Sequence, residues 1–175
     1  MTINTIFLDR DGVINIEKNY LYKIEDFDFV RGVFSACRHY IKKGYKIIIV
    51  TNQSGISRGY YSLKDYQILT NWMMNQFKIN NIEILDVFHC PHSPNDRCSC
   101  RKPMPGMFLK AQKKYDINMK NSWVIGDKEA DIIAANVSGI ENTILVKSGH
   151  KIDVSSSKSK YFLESIYESI KVITC

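Results

Sequence analysis

Thr5-Ile6-Phe7-Leu8-Asp9-Arg10-Asp11-Gly12 begins with four residues suited to a buried strand and stops abruptly at two acids spaced one residue apart. A short apolar run that ends in a polar turn reads as a buried strand of a covered sheet. The same design returns in Lys46-Ile47-Ile48-Ile49-Val50, followed by Thr51-Asn52-Gln53-Ser54-Gly55. Further strand-like segments span 84–89, 122–125 before Gly126-Asp127, and 142–146. Helix signals lie between them: 33–43 closed by Gly44, 62–77 opened by Ser62-x-x-Asp65, and 105–115 with Pro105 in the first turn. A Ser/Lys-rich stretch at 155–160 reads as a mobile loop before a last helix over 161–171. Strands and helices alternating in this way imply an α/β fold, with a parallel sheet between two helical layers and ligands beyond the carboxyl ends of the strands. Asp9, Asp11, Thr51, Cys90, His92 and Asp127 all fall at such ends.

On the helix at 62–77, Tyr66, Leu69, Met73 and Phe77 follow helical spacing and read as a core stripe. With 175 residues and 45% hydrophobic composition, the chain suits one compact domain. It has no apolar run long enough to cross a bilayer and no basic-then-apolar leader, so a cytoplasmic protein without membrane contact is expected, monomeric by default. The net charge of +6 suits nucleic acid, an anionic membrane or phosphorylated metabolites, and the scattered lysines do not choose among them.

Two carboxylates one residue apart leave a strand end in different directions and can take different roles on one substrate. Asp9 as nucleophile would divide a phosphate-ester hydrolysis into two easier steps through an aspartyl-phosphate. Asp11, held protonated, would donate to the leaving oxygen. The charged phosphoryl group then demands cations and hydrogen-bond donors: Mg²⁺ between Asp9 and Asp127, the hydroxyl of Thr51 with the amides after it, and the charge of Lys102.

Cys90, His92, Cys98 and Cys100 fall within eleven residues and supply three thiolates and an imidazole, a closed tetrahedral set for a structural Zn²⁺. That zinc would pin the 90–100 loop directly before Arg101 and Lys102. Cys37 and Cys175 stand apart from this cluster.

Asp9-Arg10-Asp11-Gly12, Thr51-Asn52, Lys102 and Gly126-Asp127-Lys128-Glu129-Ala130-Asp131 resemble, in order and across nearly the whole chain, the four motifs of the haloacid dehalogenase (HAD) superfamily. That resemblance implies a HAD-like Rossmannoid three-layer sandwich. It makes Asp9 the nucleophile, Asp11 the acid/base and a Mg²⁺ ligand through its backbone carbonyl, and Asp127 the third metal ligand. Thr51 and Lys102 would steady the phosphoryl group. About forty residues, including a helix, separate Asp11 from Thr51, leaving no room for a separate cap domain. Selectivity would fall to a flap at about 12–30 and to the zinc loop.

The zinc loop is similar to those of heptose bisphosphate phosphatases and histidinol-phosphatases. The run from Thr51 through Gln53-Ser54-Gly55-Ile56-Ser57-Arg58-Gly59 and the segment Arg101-Lys102-Pro103-Met104-Pro105-Gly106-Met107 resemble the heptose group more. This implies a phosphatase that takes the C7 phosphate from a heptose 1,7-bisphosphate, on the route to nucleotide-activated heptose for surface polysaccharide. Glu17, Lys18, Asn19, Tyr20, Thr51, Asn52, Gln53, Ser54 and Lys128 would touch the sugar phosphate, and Arg101 would hold the phosphate that stays. The competing expectations are a histidinol-phosphatase, a nucleic-acid end phosphatase, and a zinc-containing nucleic-acid-binding module.

Overall fold

The computed structural model describes residues 2–174, so Cys175 lies outside the described residues. Six strands, β1 (Thr5–Leu8), β2 (Lys46–Asn52), β3 (Asp86–Cys90), β4 (Trp123–Gly126), β5 (Asn142–Val146) and β6 (Tyr161–Leu163), form one parallel sheet in the order β3-β2-β1-β4-β5-β6. The helices are α1 (Val33–Lys42), α2 (Leu63–Ile79), α3 (Gly106–Tyr115) and α4 (Glu129–Val137). No helix among the described residues is long and apolar enough to cross a membrane.

Strand alternation builds a core on each face of the sheet. Ile6, Leu8, Ile47, Ile49 and Ile125 pack with the buried faces of α1 and α2, including Tyr40, Leu69, Met73 and Phe77. Phe7, Ile48, Val50 and Val124 pack on the other face with Phe108 and Ala111 of α3 and Ala134 and Ala135 of α4. The three-layer arrangement and the core stripe on α2 are therefore as expected. Ser62 caps α2, its hydroxyl accepting from the Asp65 amide while the Asp65 carboxylate takes the Ser62 amide in return.

Two segments depart from the sequence reading. Residues 161–163 are a strand rather than the start of a helix, paired with β5 at the sheet edge, and only Ile166–Lys171 is helical, as a 3-10 turn. The Ser/Lys stretch before it is anchored: Ser155 and Ser156 bond Asp153, the Lys158 amide reaches Glu129, and the Lys160 amide reaches Thr143. Helix α4, for which the sequence carries little amphipathic signal, is packed so deeply that Ile132, Ala134 and Ala135 are fully buried.

The strand order sets the place of the site. From β1 the chain runs outward through β2 to β3, then crosses back to β4 on β1's other side. The crevice at this reversal lies beyond the ends of β1 and β4, where Asp9 and Asp127 stand.

Candidate active site

Asp9 follows β1 directly, and its amide still bonds Ile125 O of β4 at 3.0 Å, which ties the two strand ends together. Its Oδ1 receives the Arg10 amide at 2.8 Å and the Lys102 ammonium at 3.0 Å. Lys102 is itself buried and fully partnered: Nζ lies 2.6 Å from Asp131 Oδ1 and 2.8 Å from Val50 O. Asn52 clamps the lysine's backbone from both sides, its Oδ1 accepting from Lys102 N and its Nδ2 donating to Lys102 O, each at 3.1 Å. The strand end at Asn52 thus aims a lysine fifty positions later in the chain at the Asp9 carboxylate.

Asp127 is wholly buried at the end of β4. Its Oδ2 meets His150 Nδ1 at 2.5 Å, and its Oδ1 has no hydrogen-bond partner among the described residues. Gly12 and Gly149 approach it so closely that a Cβ on either would collide with the carboxylate. Asp131, in the first turn of α4, accepts the amides of Asp127 and Lys128 and so holds that turn in place. Carboxylate oxygens of Asp9, Asp127 and Asp131 converge within 4.8 Å of one another. Burial, opposed by Lys102 but reinforced by Asp131 and Asp11, raises Asp9 to about 7. Burial with the neighbouring Asp9 and Asp131 raises Asp127 to about 9. Crowded, desolvated carboxylates with one oxygen left unpartnered are a donor set that fits a hard divalent cation.

Asp11 stands otherwise than expected. Arg10 grips its carboxylate with two bonds, Nε at 3.1 Å and Nη2 at 2.9 Å, and Asn15 and Gln53 add one each. Burial acts to raise Asp11, but the Arg10 guanidinium with the other hydrogen bonds outweighs it and holds the carboxyl below its ordinary range. The residue is thus stabilised as a carboxylate rather than held protonated.

A cavity of about 270 Å³ opens above these groups, lined by Asp9, Asp11, Asn52, Gln53, Arg101 and Lys102 among others. Glu17, Asn19, Tyr20, Ser54 and Lys128, each expected to touch the sugar phosphate, also reach it. Two expected contacts do not. Lys18 turns away, its ammonium held by Asp28 and by the Asp26 carbonyl, both at 2.7 Å. Thr51 is buried beneath Gln53, whose Nε2 donates to its hydroxyl at 2.8 Å. Arg58, Tyr61, Asp131 and His150 join the wall without having been assigned a role from sequence. Two of them lay within quoted motifs: Arg58 near the end of the Thr51 to Gly59 run, and Asp131 at the end of the Gly126 to Asp131 run that marks Asp127.

At the cavity's other side, Cys90, His92, Cys98 and Cys100 bring three sulfurs and a ring nitrogen within 4.8 Å of one another. The sulfurs of Cys90 and Cys98 lie 3.6 Å apart, those of Cys98 and Cys100 3.5 Å, and His92 Nδ1 is 3.3 Å from Cys100. A tetrahedron with metal–sulfur bonds of about 2.3 Å has edges of roughly 3.7 Å, so the four atoms fit around one Zn²⁺. The same loop carries Arg101, whose Nη1 donates to His92 O at 3.2 Å.

Comparison with known proteins agrees with this geometry. A HAD-hydrolase-like family model matches residues 99–169. The crystal structure of D,D-heptose 1,7-bisphosphate phosphatase from B. bronchiseptica, complexed with magnesium and phosphate, superposes with a TM-score of 0.84 at 25% identity, covering 97% of each chain. The D-glycero-alpha-D-manno-heptose-1,7-bisphosphate 7-phosphatase of Photorhabdus laumondii is 51% identical over 155 residues, 85% of each chain. The enzyme of that name from Campylobacter jejuni is 47% identical over 86% of this chain and 87% of its own. A beta-named 7-phosphatase from Helicobacter pylori is 41% identical over 94% of this chain and 96% of its own. With a catalytic-type Asp9–Lys102–Asp127 cluster at the switch point and such identity along most of its length, the chain belongs to the D-glycero-D-manno-heptose-1,7-bisphosphate 7-phosphatase family of HAD-like hydrolases.

Proposed function

We propose that this protein removes the C7 phosphate of D-glycero-D-manno-heptose 1,7-bisphosphate, leaving the C1 phosphate in place. The observation that carries the reaction is the Asp9 carboxylate, fixed by Lys102 at the floor of the cavity beside the unpartnered oxygen of Asp127. An Asp9 oxygen attacks phosphorus, the bond to the C7 oxygen breaks, and that oxygen leaves with a proton. Water then attacks the aspartyl-phosphate, releases phosphate and restores Asp9. Asp11, ionised against Arg10, has the form needed to take the proton of that water. To supply the proton of the first step, its carboxyl must be protonated and leave Arg10. Asp9, Asp127 and the Asp11 backbone carbonyl would hold Mg²⁺, which when bound neutralises charge on the phosphoryl oxygens.

The relatives at 51% and 47% identity carry the alpha name and that at 41% the beta name, which supports preference for the alpha anomer at C1. Phosphate-release kinetics on the two anomers beside histidinol phosphate test this. The alpha bisphosphate should show the highest kcat/KM; faster turnover of histidinol phosphate would refute the assignment.

Metal binding has a sign that can be worked out. In the metal-free fold Asp9 and Asp127 keep protons up to about 7 and about 9, whereas the unfolded chain loses them near the ordinary carboxylate range. Across that window the fold binds more protons than the unfolded chain, so metal-free stability falls as pH rises. A divalent cation replaces those protons. Added Mg²⁺ should therefore raise Tm more near pH ~8 than near pH ~5. An equal or smaller gain at the higher pH, by differential scanning fluorimetry, would contradict the site.

The 90–100 loop we read as a structural zinc staple, with Cys90, His92, Cys98 and Cys100 as the four ligands. Elemental analysis should find about one zinc per chain. Cys98→Ser should lower that content and make the segment carrying Arg101 and Lys102 sensitive to protease. Full zinc occupancy in the variant would remove Cys98 from the ligand set.

A further inference from the structure

Asp127 belongs to two groups of potential metal donors, and the two differ in chemistry. With Asp9 and Asp131 it offers oxygen alone, a set that suits Mg²⁺. With Glu17 and His150 it offers two carboxylates and an imidazole, again with all donor atoms within 4.8 Å of one another. Asp127 is wholly buried, its Oδ2 lies against His150 Nδ1 at 2.5 Å, and its Oδ1 has no partner among the described residues. A carboxylate so placed can bridge two cations, one oxygen to each side.

Glu17 and His150 reach Asp127 from separate loops. His150 follows β5, in a segment tied down where the Ser148 hydroxyl donates to Gly12 O at 2.7 Å. Gly149 lies so near Asp127 Oδ2 that any side chain there would strike it. Glu17 sits on the flap, its Oε1 accepting the Asn19 amide at 2.7 Å. Among the described residues it forms no ion pair, although Arg58, Arg101 and Lys128 line the same cavity. Folding alone gives no reason to bring Glu17 to a buried carboxylate and leave those cations unused, because like charges repel. A cation between the two acids supplies the reason, and the imidazole favours one softer than Mg²⁺. Donors to one Zn²⁺ at about 2.1 Å stand roughly 3.4 Å apart in a tetrahedron, so the 2.5 Å pair and the 4.8 Å limit bracket the spacing required. Glu17 and His150 are both partly exposed, which leaves them room to adjust.

We propose that Glu17, Asp127 and His150 form a second divalent-cation site in the cavity wall, selective for a borderline metal such as Zn²⁺ over Mg²⁺. Three protein donors leave a further coordination position for water or an anionic oxygen. The site has no residue in common with the cysteine cluster. It shares Asp127 with the all-oxygen group, so a metal bound on one side weakens binding on the other through the charge they divide.

Isothermal titration with Zn²⁺, on the full chain with its cysteine cluster already filled by zinc, tests the site. About one further Zn²⁺ per chain should bind, more weakly when Mg²⁺ is saturating. His150→Ala and Glu17→Gln should each weaken that event by at least about tenfold, since even a partner outside the ligand set is worth that much. His150→Ala should keep the rise in Tm that Mg²⁺ brings, and Asp9→Asn should keep the further zinc. Elemental analysis should still find the cysteine-bound zinc in every variant, which separates loss of a ligand from loss of the fold. Zinc lost in Asp9→Asn but kept in His150→Ala would put the metal in the all-oxygen group and overturn the proposal, as would a wild type that takes no zinc beyond the cysteine cluster. Equal losses of Zn²⁺ and Mg²⁺ binding in His150→Ala would reduce His150 to a support for Asp127 and overturn it too. A wild type whose Tm ignores Mg²⁺ would instead count against the catalytic cation, with the zinc titration still deciding this site.

Discussion

Asp9→Asn should lose turnover by on the order of 10⁴-fold or more while its stability in the absence of metal holds or rises. The two halves of this expectation have one cause. An amide cannot form the acyl-phosphate, so the covalent path closes. Yet Asn fills nearly the same volume, and its oxygen can still accept the Arg10 amide, which Asp9 takes at 2.8 Å. It also removes one charge from a cluster in which burial and the neighbours Asp131 and Asp11 already hold Asp9 at about 7. Relief of that repulsion offsets the loss of the Lys102 pair, a case of a functional site held against stability. Phosphate release with a coupled assay and thermal melts in chelator near pH ~8 check both halves. Residual turnover within about a hundredfold of wild type would mean that Asp9 is not the nucleophile.

Lys102→Met should be costly in both respects. Lys102 Nζ serves Asp9, Asp131 and the Val50 carbonyl at 3.0, 2.6 and 2.8 Å, and its burial leaves no water to replace it. Removing one partner of a buried ionic group typically costs about 3–5 kcal/mol, because the other charges stay behind unpaired. For a chain of this size that corresponds to a drop in Tm of roughly 10 °C. Turnover should fall by a further 10²- to 10³-fold, on the order of what one electrostatic donor contributes at a developing charge. Asp9 would also hold its proton to higher pH, since Lys102 is the main influence lowering it. The activity that remains should thus rise with pH over a range shifted upward from the wild type. Urea unfolding in chelator together with a pH–rate profile measures both. A variant within about 1 kcal/mol of wild type would show that Lys102 is not the counter-ion the geometry makes it.

The sequence made legible those residues whose roles depend on adjacency along the chain. Asp9 and Asp11 share one strand end, and the four zinc ligands share one loop, so spacing reveals them before any folding is considered. Asp127 was visible for the same reason, as the acid closing an apolar run. The heptad-like stripe on α2 was equally plain because one face of that helix stays wet. By contrast α4 is apolar over most of its surface, which removes the periodicity that marks a helix. Strand β6 is three residues long and owes its conformation to pairing with β5, not to a local preference.

The kind of chemistry is written along the chain: an aspartate pair, a cation-binding acid and a thiolate cluster on an alternating α/β pattern. Which of those groups face one another follows from the packing of the folded chain. It set Asp131 and Lys102 against Asp9, put His150 on one oxygen of Asp127 and left the other free, turned Lys18 outward to Asp28, and ionised Asp11 against Arg10. The reason is physical. Protonation and pairing depend on burial and on distances of a few ångströms between charges, and in this fold those distances join residues brought together by strand order across up to some hundred positions of chain.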